Sequence, residues 1–154
     1  MSFRISGLPA AQFADWFALS EEELAARHGV RRVADSKPGF PCRVSLTDAE
    51  VGEEVLLINY EHLPVDSPYR ASHAIYIRAG EATCEVVDCV PSMLRSRLLS
   101  LRAYDAAGMM TSADVIQGSE LEAGIGKLFR DERASYLHVH FARPGCYAAR
   151  IDRA

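Results

Sequence analysis

Tyr136-Leu137-His138-Val139-His140-Phe141 alternates polar or aromatic residues with aliphatic ones, then runs into Ala142-Arg143-Pro144-Gly145. Period-two alternation predicts a β-strand, because successive strand side chains point to opposite faces. Leu137, Val139 and Phe141 take the core, while Tyr136, His138 and His140 share the other face, toward solvent or a polar pocket. Arg143-Pro144-Gly145 is turn-forming, and a second alternating run follows it. Tyr136 to Asp152 therefore reads as a C-terminal β-hairpin.

Outward from the hairpin, Val55–Tyr60, Ala74–Ile77 and Glu85–Val87 read as strands, and Leu98–Tyr104 as a further extended segment. His62 to Arg70 contains Pro64 and Pro68 and reads as a loop. Phe13, Trp16 and Phe17 after Pro9 suggest a short helix. Ser20-Glu21-Glu22-Glu23 is a capping box opening another, with Gly29 as its stop and His28 at its end. Pro91-Ser92 starts a third. Ser119-Glu120-Leu121-Glu122 has capping-box form, and Leu121, Ile125, Leu128 and Phe129 make a helical stripe behind it. Strands and helices do not alternate regularly. The expected fold is α+β: a single domain over 1–154, mainly antiparallel sheet with short peripheral helices.

The chain has 154 residues, 49% of them hydrophobic and 25% charged, which is enough for one core without disulfide or metal support. A formal charge of -4 and scattered arginines argue against nucleic acid as a partner. No apolar run suits a membrane span or a secretory leader, so the expected location is cytoplasmic. Cys42, Cys84, Cys89 and Cys146 lack zinc-site spacing and read as reduced thiols. Cys84 and Cys89, if on one strand, would face opposite ways.

Three chemistries compete with a plain structural role, in which both histidines hydrogen-bond on a partly exposed sheet face. Two imidazoles on one strand face can chelate a divalent ion if folding supplies a third ligand, with His73, Asp105 and Cys42 as candidates. The cupin pattern is not met, since no acidic residue follows His140 until Asp152. Alternating histidines also occur in the histidine-triad family, but the third place here is Ala142 or Tyr136. The last chemistry activates Cys42 or Cys146 as a nucleophile beside a histidine. Arg43 and Arg102 read as ion-pair partners or as anion holders, and Tyr69-Arg70 with His73 offers a local anion contact.

Gly39-Phe40-Pro41-Cys42-Arg43, Ser67-Pro68-Tyr69-Arg70, Leu101-Arg102-Ala103-Tyr104-Asp105, and His138-Val139-His140 with Gly145-Cys146-Tyr147-Ala148-Ala149-Arg150 together resemble the bacterial family called domain of unknown function 1203. The resemblance spans essentially the whole chain. It implies that the Cys42-Arg43 and His138-His140 blocks form one site, and it brings no activity or cofactor. The expected function is binding of a small anionic molecule by Arg43, Tyr69, Arg70, His73, Arg102, Asp105, His138 and His140. The catalytic candidates are His138, His140 and Cys42. No metal is assigned, although His138 and His140 are the pair that would hold one. The alternatives are a non-catalytic homodimer formed through the hairpin edge or the Trp16 segment, and a metal-dependent enzyme using the two histidines.

Overall fold

Antiparallel pairing organises the chain. In the computed structural model, which describes residues 1–154, the order is β1 (Phe3–Ser6), α1 (Glu21–Ala26), β2 (Gly29–Val33), β3 (Pro41–Cys42), β4 (Thr47–Asp48) and β5 (Glu54–Leu63). There follow β6 (Ala71–Ile77), β7 (Glu85–Val87), α2 (Ser92–Arg95), β8 (Leu98–Tyr104), β9 (Met110–Gln117), α3 (Leu121–Leu128), β10 (Tyr136–Phe141) and β11 (Tyr147–Arg153). Two sheets result, ordered β7-β1-β11-β10-β8-β9 and β2-β5-β6-β3-β4. Only β3 and β6 run parallel, meeting at Cys42 and Tyr76. This is the α+β class, and no helix is long and apolar enough to cross a membrane.

The terminal hairpin forms as its alternation predicts, with Gly145 taking the left-handed turn position at φ 79° that favours a residue without Cβ. It lies in the middle of the six-stranded sheet. β11 pairs with β1 and β10 pairs with β8, so neither hairpin edge is free for a second copy. Leu137, Val139 and Phe141 pack with Leu121, Ile125, Leu128 and Phe129 in a core of 20 buried residues. Of the two placements open to the histidine face, the partly exposed one of the plain structural role is overturned. His138 is 3% exposed and His140 0%, because the five-stranded sheet lies across that face and buries it. A second core joins Leu56, Ile58, Ile75 and Ile77 of that sheet to Leu24, Phe13 and Tyr147.

Several local expectations change. The Phe13, Trp16 and Phe17 segment forms two 3-10 turns, Ala10–Phe13 and Trp16–Ala18, in place of one helix. A three-residue repeat also brings Phe13 and Trp16 to one side. The Ser20–Glu23 capping box forms as read. However, His28, at φ 58°, takes the left-handed position after α1, and Gly29 opens β2. Gly29 is small for another reason: a Cβ there would stand 3.3 Å from both the Leu24 carbonyl oxygen and the Trp16 ring. At α3 the expected capping box is absent. Gly118–Glu120 form a 3-10 turn, and Glu120 precedes the helix without a side-chain cap. Ser119 already lies inside that 3-10 turn, so its backbone lacks the extended conformation of an N-cap residue. Cys84 and Cys89 flank β7, and all four thiols are free. His62 belongs to β5, not to the loop, since that strand continues to Leu63, immediately before Pro64.

Candidate metal centre

Sheet register brings the polar side chains together. On the six-stranded sheet, His138 stands between Arg102 of β8 and Arg150 of β11, while His140 stands between Ser100 and Tyr147. A bulge lies between Val139 and His140. Without the extra residue in β11, unbroken counting back from Ala149 would pair Ala148 with His140. The bulge brings Tyr147 opposite His140 instead, as bulges at functional sites re-aim side chains. The facing sheet carries a matching irregularity. Pairing of β5 with β6 passes from Glu61–Ser72 to Leu63–Ala71, which leaves His62 as the extra residue. Two interrupted ladders, one in each sheet, thus meet at one place.

His62 is the centre of the cluster. Its ring stacks on His73 at a centroid distance of 4.7 Å and on Tyr147 at 5.0 Å, with interplanar angles of 9° and 13°. His140 meets it edge-on at 5.0 Å, and His138 lies tilted to it, by 56°, at 5.4 Å. The Nδ1 atoms of His62 and His138 are 3.3 Å apart. One ring nitrogen from each of His62, His138 and His140 lies within 4.8 Å of the others. His140 Nδ1 is 3.0 Å from the Gly145 carbonyl oxygen. A carbonyl only accepts, so Nδ1 carries the proton and Nε2 keeps the lone pair. That Nε2 is buried without a partner, as are His62 Nε2 and His73 Nδ1. Each such buried polar atom costs about 1–3 kcal/mol unless something satisfies it.

The rings are held neutral. Burial is the main cause for each, and it moves His62 down to about 4, His140 to about 3 and His138 to about 2. Like charge adds to it. Arg102 opposes protonation of all three, Arg150 opposes that of His138, and His62 opposes that of His138 and His140. For His140 the Gly145 hydrogen bond pulls the other way. His73 is lowered by burial and then by Arg102 and Arg43, and burial raises the Tyr147 phenol. Three neutral imidazoles with no carboxylate partner are the donor set of a soft or borderline divalent ion.

The structure brings some of the expected residues here. His73, His138 and His140 are in the cluster, and Arg102 adjoins it with Nε donating to Ser100 Oγ at 3.3 Å. Arg43 is 1% exposed and supports it from behind, donating from Nε to the Tyr147 carbonyl at 2.8 Å and from Nη2 to Cys146 Sγ at 2.9 Å. Cys42 lies elsewhere, among Ala34, Ala49 and Val55, and burial pushes its thiol up to about 12. Tyr69 reaches only the Tyr104 ring, at 6.2 Å. Arg70 pairs with Glu61 at the surface. Asp105 accepts the Ala107 and Met109 N–H groups of its own turn. His62 escaped the sequence reading. One signal for it existed: Leu56, Ile58, Tyr60 and His62 continue a single alternation.

Residues 39–153, which include every member of the cluster, match the family model described as "Protein of unknown function (DUF1203)". No curated protein and no solved structure matches the chain.

Proposed function

The chain belongs to the DUF1203 family, and from the convergence of His62, His138 and His140 we propose that it is a metal-dependent enzyme built on a mononuclear three-histidine centre. The observation that carries this reading is the His140 Nε2 lone pair. It is buried without a donor, in a cluster where one ring nitrogen of each histidine lies within 4.8 Å of the others and the His62 and His138 Nδ1 atoms are 3.3 Å apart. Nitrogen ligands about 2.0–2.1 Å from a tetrahedral zinc ion sit about 3.3 Å from one another, so the Nδ1 pair has the length of one tetrahedral edge. Ligand atoms within 4.8 Å of one another need to close by no more than about 1.5 Å to complete the face. The bond from His140 Nδ1 to the Gly145 carbonyl is the outer-shell contact that orients a ligating imidazole.

Three protein ligands leave a fourth position for water or substrate, as catalytic sites do, whereas structural zinc sites are closed by four. An ion there would act as a Lewis acid and lower the pKa of its bound water, which suits hydrolytic chemistry. With neutral ligands and arginines around it, the open position favours an anion, which retains the small anionic molecule as substrate class. The four free thiols suit a reducing compartment such as the cytoplasm.

The test is elemental analysis of tag-free protein purified without chelator, with zinc titration of the parent, the His138→Ala/His140→Ala double variant and His62→Gln. One ion per chain in the parent, lost in both variants while their circular dichroism stays native, is expected. A parent that binds no ion, or folded variants that bind as the parent does, would refute it.

A further inference from the structure

Beside the histidine cluster, a groove of about 800 Å³ runs between β6, the Pro38–Pro41 approach to β3, and the turn joining β10 to β11. Its charged lining is of one sign. Arg43, Arg97 and Arg143 border it with His73, and no acidic side chain does, in a chain with 21 Asp and Glu residues. The guanidinium carbons of Arg43 and Arg97 lie 4.9 and 5.0 Å from the centroid of the Phe141 ring, which also lines the groove. Arg97 is paired with both carboxylate oxygens of Asp48, which does not itself line the groove. Arg43 has no such partner: its buried guanidinium donates to two backbone carbonyls and the Cys146 sulfur, with no carboxylate in contact. Arg143 is exposed and makes no ion pair. Positive charges gathered this way repel one another, and a buried guanidinium is costly to leave without an anion.

We infer that this groove binds the oxyanion end of a small molecule, a carboxylate or a phosphate, and anchors the substrate of the adjoining centre. The anchoring role rests on the metal reading, but the anion site itself does not. His73 joins the two compartments, since it lines the groove while its ring stacks on His62 and meets His140 edge-on at 5.2 Å. A molecule held by the arginines is therefore one imidazole away from the proposed ion. Planar guanidinium groups match the two oxygens of a carboxylate or a phosphate edge, and Phe141 supplies an apolar wall for the carbon skeleton.

The experiment is calorimetric titration of inorganic phosphate and, separately, of succinate, at constant ionic strength set with sodium chloride. The proteins are the parent, Arg97→Gln, Arg143→Gln and the His138→Ala/His140→Ala variant. Saturable one-to-one binding is expected for at least one probe, and the tighter probe identifies the class. Loss of an arginine contact should weaken it about tenfold or more. Binding retained in the double-histidine variant supports the anion site independently of the ion, so failure of the metal reading leaves a distinct signature. No saturation by either probe below about 10 mM, or equal affinity in parent and both arginine variants, would overturn the inference. Arg143→Gln keeps the test decisive if Arg97→Gln misfolds, because Arg143 bonds to nothing in the fold.

Discussion

Acidifying the metal-free protein should unfold it well above the range where carboxylates protonate. His62, His138 and His140 have folded-state pKa values of about 4, 2 and 3 against an ordinary value of 6.5. The unfolded chain therefore takes up protons below pH 6.5 that the folded chain refuses. Stability from these groups is fully present above 6.5 and is lost as pH falls toward the folded values, at up to three protons, or about 4 kcal/mol, per pH unit. Between pH 7 and pH 5 each histidine accounts for about 2 kcal/mol, and the three together for about 6 kcal/mol. That is comparable to the whole stability of many domains. Arg102 and Arg150 face the rings and add to the penalty for protonation, and no carboxylate offsets it. Urea unfolding with EDTA present, at half-unit steps from pH 7 to 5, measures the slope directly. A loss smaller than about 2 kcal/mol over that range would mean that the rings are solvated or already charged, and the reasoning from burial would fail.

Two further outcomes bear on the fold itself. Leu137→Ala, at a fully buried site in the core beneath α3, should cost about 2–5 kcal/mol in urea unfolding; a change within about 0.5 kcal/mol would argue that β10 does not pack there. Native alkylation followed by mass spectrometry should modify exposed Cys89 first and Cys42 only on unfolding, since Cys42 is buried and its thiol is pushed up to about 12. Equal rates at the two would contradict the placement of Cys42.

The hairpin, the α3 stripe and the strand runs were legible because each depends on local alternation or local turn chemistry. The covering of His138 and His140 was not, since it depends on a second sheet whose approach leaves no mark on β10 itself. His62 was obscured because Pro64 and Pro68 signal a loop, while the strand in fact runs up to the first proline. Tyr147 shows a different difficulty. Counted back from Ile151 and Ala149 at period two, it belongs with the core face, and only the bulge turns it toward the histidines. Arg43 reads in sequence as a holder of anions or an ion-pair partner, yet its contacts are carbonyls and a sulfur; one is the local Pro41 carbonyl, and the other two, at Cys146 and Tyr147, lie 103 and 104 residues away. Such partners are set by topology and not by motif. Tyr69, Arg70 and Asp105 carry suitable chemistry beside strand ends, but Arg70 and Asp105 find neighbours at the surface and in a local turn.

The pairing of β1 with β11, from Phe3 opposite Arg153 to Ser6 opposite Arg150, has a consequence in time. β11 sits between β1 and β10, so during synthesis the six-stranded sheet lacks an interior member until Tyr147–Arg153 have been made. Until then β1 has only the short β7 beside it, and His62 and His73 have been made without the wall that will cover them. Contacts of such long sequence separation slow folding, because loop closure precedes their reward. A ribosome stalled before β11 would therefore display a chain whose first half is complete in sequence and unfinished in structure.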